Sequence, residues 1–216
     1  MAHLKRQEVP KNWPIKRKGT TFVVRPNFSA NKGLPILIIL RDILKIARNR
    51  KEAKRAIHEK NVLHNNKFIR DEKKSAVLMD VIKIIPSKKN YRIVLNNYGK
   101  FGLEEIKESE ANMKVAKVVD KKTLRGKKQQ INLGYGVNFI SDSKCNVNDS
   151  VLINFKDRKI EKVLPLKEKS KIIIFAGKHA GKKGIIKKIK SERKMVSIEV
   201  SGKDINVLIK QIMVVE

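Results

Sequence analysis

Basic residues outnumber acidic ones along the whole chain, and that even excess most limits what the chain can fold into. The consecutive segments 1–32, 33–85, 86–165 and 166–216 carry net charges of +7, +7, +8 and +8. The total is +30, from 51 Lys and Arg against 21 Asp and Glu. A compact state with such a charge repels itself unless a polyanion neutralises it. A neutral domain with one basic tail would concentrate the excess at one end. Here every segment faces a polyanion, as in a chain embedded in nucleic acid; an anionic membrane surface is the other candidate. The hydrophobic share of 41% leaves enough apolar material for a packed core.

Several classes fall away on residue chemistry. Cys145 is the only cysteine, which excludes an internal disulfide and a cysteine-based zinc site. His3, His58, His64 and His179 have no metal-ligand spacing. The longest apolar run, Leu34 to Leu40, is far too short to span a bilayer, and the N-terminus has no apolar signal region. A reducing, cytosolic setting fits these features. No Ser/His/Asp order or paired base marks a catalytic site, and Glu104, Glu105, Glu108 and Glu110 read as a solvated helix face. The expectation is no cofactor, no metal, no membrane and no small-molecule substrate.

Residues 1–32 are basic and interrupted by Pro10, Pro14 and Pro26, with Trp13, Phe22 and Phe28 among the lysines and arginines. They read either as a floppy arm or as an arm pinned to protein or bases by those aromatics. From Gly33, apolar residues at Leu37, Leu40, Leu44 and Ala47 predict a helix with Pro35 in its first turn. Asn49 with Glu52 three residues later predicts a capped second helix with Ala53, Ala56 and Ile57 inward. Asn65-Asn66 signals a hairpin, and "AVLMDVIKII" reads as a strand ending at Pro86. Residues 86–165 read as short strands, with "ESEANM" as the one short helix; 166–216 form a second set of strands, of small-barrel length.

The stretch "FAGKHAGKKGIIKKI", Phe175 to Ile189, poses a choice between a phosphate loop and a basic turn. A Walker loop needs Gly, four residues, then Gly-Lys-Ser/Thr before a helix. Aligning Gly181-Lys182 puts Ala176 at the first glycine and Lys183 at the hydroxyl, and a strand-like run follows. The nucleotide reading fails. Gly177, Gly181 and Gly184, with Lys178, Lys182, Lys183 and His179, remain as a tight basic loop whose backbone can approach a phosphate. This loop resembles the KOW motif of ribosomal proteins and transcription elongation factors.

Asn49 to Ile57, "NRKEAKRAI", then "NVLHNNKFIR" and "LMDVI", resembles the alpha-L RNA-binding motif, with Met79 and Asn66 standing where glycines are usual. The resemblance implies that Arg48, Arg50, Lys51, Lys54 and Arg55 face RNA. Periodicity points the same way, because Lys51, Lys54 and Arg55 share one side of the second helix. A charged face merely solvated by water is the alternative. Arg41 and Lys45 before this unit, and Lys67 and Arg70 in its hairpin stretch, join the set. In the arm, His3, Lys5, Arg6, Pro10, Trp13 and Lys16 resemble the start of the archaeal and eukaryotic small-subunit ribosomal protein four family. Lys5, Arg6, Lys16, Arg17, Lys18 and Arg25 are its expected phosphate contacts, with His3 beside them and Trp13 as a base-stacking candidate.

That family orders its parts as basic arm, alpha-L domain, central β domain and KOW-containing barrel, and this chain has the same order over essentially its whole length. The resemblance implies an α+β, mostly β fold. Its domains are an arm at 1–32, a helix-helix-strand alpha-L domain at 33–85, a central β domain at 86–165 and an SH3-like KOW barrel at 166–216. It implies a structural, non-enzymatic, cytoplasmic component of the small ribosomal subunit. Its partners would be small-subunit ribosomal RNA and neighbouring ribosomal proteins. An end at Glu216, without a basic extension, implies an archaeal-type or reduced eukaryotic member. With 12 Arg among 51 basic residues, point-charge phosphate contacts should outnumber bidentate ones. A KOW-type elongation factor or RNA-chaperone-like protein is the competing reading.

Overall fold

A computed structural model describes residues 3–141, 143–190 and 193–215. The chain divides into two compact units, one holding the residues up to Asn96 with Lys100–Asn112, the other Asn97–Gly99 and the chain from Met113 on. Both are dominated by antiparallel strands, the mostly β fold that the sequence implies.

The first unit begins with a two-stranded ribbon, β1 (Leu4–Lys5) against β2 (Phe22–Val23). β3 (Gly33–Pro35) leads into α1 (Ile36–Ile38), with Pro35 extended just before the first helical residue. The helix then widens into a π turn over Ile39–Ile43, closed by Leu44 N donating to Ile39 O at 2.9 Å. The expected helical face ran on to Ala47, but the chain turns away at Lys45, where φ is 56°. The reason lies in the core. Every residue from Leu34 to Leu40 is buried, so this segment is enclosed on all sides instead of presenting one stripe.

α2 (Arg50–His58) forms as its cap predicts, with Asn49 Oδ1 accepting from Glu52 N at 2.9 Å. The Glu52 carboxylate reaches back to Arg48 N at 2.7 Å, one residue before the cap. Ala53 and Ile57 are buried, and Ala56 is half-buried. β4 (Val62–His64) and β5 (Lys67–Phe68) meet through Asn65 and Asn66, both left-handed at φ 51° and 60°. Those angles match a primed turn, which suits the strand twist.

The run read as one strand is two, β6 (Ser75–Val77) beside β3 and β7 (Val81–Ile84) beside β4. Met79, at φ 64°, breaks it. The Asp80 carboxylate, 2% exposed, holds the break together. It accepts from Val77 N at 2.7 Å and Asn65 Nδ2 at 2.8 Å, and His64 Nε2 lies 2.8 Å away. β8 (Lys89–Leu95) and β9 (Phe101–Ile106) extend the sheet to the order β5-β4-β7-β8-β9. The sheet therefore carries strands on both sides of residue 86. Glu104 and Glu105 stand on β9 and not on a helix, and of this acidic run Glu110 alone enters a single 3-10 turn, Glu110–Asn112.

In the second unit, β10 (Met113–Thr123) serves two partners. Its second half pairs with β11 (Gln129–Leu133), which pairs with β12 (Asn138–Ile140). Its first half pairs with β13 (Ser150–Asn154), followed by β14 (Lys159–Leu164). Ala116, Val118, Ile131, Leu133, Cys145, Val151 and Ile153 fill the core of this sheet. A second sheet of β15 (Lys171–Ile174), β16 (Lys183–Lys190), β17 (Met195–Val200), β18 (Lys203–Leu208) and β19 (Ile212–Val214) has the order β18-β17-β16-β15-β19. It encloses Ile172, Ile174, Ile186, Val196, Ile198 and Ile212. Lys117 crosses from β10 to this sheet and donates to the carbonyls of Ile209 and, at 2.9 Å, Ile212.

Candidate nucleic-acid interface

The basic residues of α2 divide by what they already hold. Arg50 donates to Glu72 Oε1 through Nη2 at 2.6 Å and Nε at 3.1 Å, and Lys54 lies 3.7 Å from the same oxygen. The Glu72 side chain is only 7% exposed, so these two cations first neutralise a buried carboxylate. Arg55 is engaged with Glu59 one turn on at 2.7 Å, which raises its pKa through that hydrogen bond. Arg41 pairs with its neighbour Asp42 at 2.9 Å. Lys45, Arg48 and Lys51 are exposed, and their side chains have no partner among the described residues. Of the basic residues in and just before α2, Arg50, Lys54 and Arg55 are therefore committed to protein carboxylates, while Lys45, Arg48 and Lys51 are not. α2 adds free backbone amides at its first turn, and its dipole favours an anion at that end.

The β4–β5 hairpin and the residues just after it add exposed cations of their own. Lys67 and Arg70 are exposed, and Phe68 is 55% exposed with Lys60 Nζ 5.8 Å from its ring centre. Phe68 escaped the sequence reading. Its one signal was an aromatic in a basic hairpin at a position facing Leu63 across the strands.

In the arm, two expected contacts turn out to be internal ties. Trp13 is 2% exposed and its Nε1 donates to Ala30 O at 3.0 Å, so it pins the arm to the protein and presents no face to a base. Arg6 donates through Nε to Thr20 O at 2.7 Å, through Nη1 to Lys16 O at 2.8 Å and through Nη2 to Thr20 Oγ1 at 2.8 Å. It holds the loop that carries Lys16, Arg17 and Lys18, all of which are exposed. Lys5 and Arg25 are exposed as well, and the His3 ring packs 5.6 Å from that of Phe22.

The loop from Phe175 to Lys182 is tight, with Gly177 at φ 87° and Gly181 at 90°. Gly181 N donates to Ile174 O at 2.7 Å, and Ile174 N to Lys182 O at 3.0 Å. Lys178 and Lys183 are exposed, while His179 and Lys182 are half-buried. Gly184 has a different reason to be glycine. A Cβ there would sit 2.4 Å from Glu199 O, so its role is to let β16 and β17 approach and not to admit a phosphate. On the outer face of β16, Lys187 is held by Asp204 at 2.7 Å and Glu199 at 3.5 Å.

No group of three metal-ligating side chains occurs among the described residues, and no helix among them is long and apolar enough to cross a membrane. The chemistry on offer is cationic contact at separate sites with a few exposed rings nearby, which is suited to phosphates and unstacked bases.

Comparison with known proteins follows the same line. Residues 87–160 match the model of the ribosomal family S4e, and residues 2–28 match the RS4NT domain. The chain is 37% identical over 194 residues to the small ribosomal subunit protein eS4 of Methanocella arvoryzae, covering 88% of this chain and 82% of that one. It is 31% identical to eS4 of Archaeoglobus fulgidus, over 99% of this chain and 92% of the other. The crystal structure of the 30S ribosomal protein S4e from Thermoplasma acidophilum superposes with a TM-score of 0.74 at 28% identity. That match covers 85% of this chain and 95% of the other.

Proposed function

The chain belongs to the ribosomal family S4e, and we propose that it grips its ribosomal RNA through the basic side chains its own fold leaves uncommitted. It is a structural, non-enzymatic constituent of the small ribosomal subunit, a cytoplasmic particle, and takes part in translation there. Its partners are ribosomal RNA and other ribosomal proteins.

The observation that carries the proposal is the division of cations on α2 and in the arm. Lys45, Arg48 and Lys51 at the start of the helix, with Lys67 and Arg70 of the hairpin, form one contact. Lys5, Lys16, Arg17, Lys18 and Arg25 form a second, and Lys178, His179, Lys182 and Lys183 a third. Arg50, Lys54, Arg55 and Arg41 act first on protein carboxylates and add a weaker field. The segments 1–32, 33–85 and 166–216 then each hold one of these contacts.

Filter binding of small-subunit RNA across a salt series tests this. The variant Lys45→Ala/Arg48→Ala/Lys51→Ala is expected to reduce the log–log salt slope by about 2–3, with an unchanged thermal midpoint. The pair Arg50→Ala/Lys54→Ala is expected to lower the midpoint instead, because Glu72 loses its counter-charges. An unchanged slope in the triple variant would overturn the assignment.

A further inference from the structure

A further basic stretch lies outside all three contacts above, at the tip of the β10–β11 hairpin. Between Lys121 and Lys128 the sequence KKTLRGKK holds five basic residues and no acid. Lys122, Arg125 and Lys128 are exposed and have no side-chain partner among the described residues. Lys121 differs, since its Nζ donates to Cys145 O and ties the hairpin to the sheet. The turn is closed by Leu124 N donating to Lys128 O at 2.8 Å, with Gly126 at φ 78°. A Cβ added at Gly126 would meet nothing within 4 Å, so the tip stands clear of the rest of its unit.

Below the tip the outer face of the sheet is rich in amides. The register sets Lys122 beside Gln130 and Ile140, and Asp120 beside Asn132 and Asn138. Gln130 Nε2 donates to Asn132 Oδ1 at 2.7 Å, which orients both carboxamides. Ile140, 64% exposed, lies on the same face. Among the described residues of that face Asp120 is the one anion, and it keeps phosphates toward the tip.

We propose that this ribbon is an additional RNA-binding finger that docks across the minor groove of a ribosomal RNA duplex. The A-form minor groove is wide and shallow and displays 2′-hydroxyls and base edges, while its major groove is closed to side chains. Carboxamides both donate and accept, as a 2′-hydroxyl does. The cations at the tip meet the phosphates that border the groove. A protein partner for this face would have to supply anions to three free cations, which the phosphates of RNA supply by default. The inference rests on the reading of the chain as an RNA-binding ribosomal protein.

Two measurements on the full chain test it. First, Lys122→Ala/Arg125→Ala/Lys128→Ala is compared with wild type in salt-dependent binding of small-subunit RNA. The expected result is a slope smaller by about 2–3, with unchanged thermal unfolding. An unchanged slope and affinity, while wild type binds, overturns the finger and leaves the broader reading intact. Failure of wild type itself to bind overturns that reading. Second, Leu124→Cys carries a photo-crosslinker at the tip, because the native Cys145 is 3% exposed and does not compete for the reagent. After assembly into subunits, crosslinks to base-paired RNA are expected. Crosslinks to protein alone, or to single-stranded RNA alone, overturn the proposal.

Discussion

Gly184 and Met79 show how far a residue's identity can mislead about its role. The glycine was read as part of a phosphate-facing loop, yet the Glu199 carbonyl makes it a packing residue. Gly184→Ala is expected to cost about 1–3 kcal/mol or more, because the obstacle is backbone and cannot swing aside. A lower urea midpoint at unchanged m-value would record it. Met79 is the converse case, a bulky residue in a conformation that glycine adopts without strain. Its left-handed backbone costs on the order of 1–3 kcal/mol, and its buried side chain returns about as much. That balance explains how the turn forms without glycine. The role of Gly184 could not be read from sequence, since it depends on atoms far along the chain, whereas the alpha-L resemblance already marks position 79 as one where glycine is usual.

At the scale of elements, the locally coded features were legible. The Asn49 cap and the Asn65-Asn66 turn depend on residues within four positions of each other, and both form as read. Asn49→Ala should therefore lower stability by about 1 kcal/mol, whereas Asn49→Gly should cost only a few tenths. Thermal unfolding of the two variants checks the order. A larger loss in the glycine variant would show that the side-chain cap is not what holds the helix. α1 was less legible because its apolar pattern carries no stripe; enclosure on every side allows the π turn and the early exit at Lys45. The break at Met79 was hidden for a similar reason, since a run of apolar residues looks alike whether one strand or two.

For the whole molecule, charge is both the clearest signal and the one most reshaped by folding. Lys117 illustrates it. Burial lowers its pKa from 10.5 to about 8, although two carbonyls accept from its ammonium group. An unfolded lysine keeps its proton to higher pH, so between about pH 8 and 10.5 the unfolded chain binds more protons and stability rises with pH. The gain is at most about 3 kcal/mol. Urea titrations from pH 7 to 11 should show this rise in wild type and a flatter profile in Lys117→Met. By itself the sequence determined the polyanionic partner, the mostly β architecture, the capped helix and the hairpin turn, because charge, alternation and capping act through composition and near neighbours. Only the tertiary structure decided which cations remain free, since ion pairs such as Arg50 with Glu72 join residues 22 positions apart. It also decided that Trp13 faces inward and that β10 shares itself between two partners. Those outcomes follow from burial and long-range pairing, which no local pattern encodes.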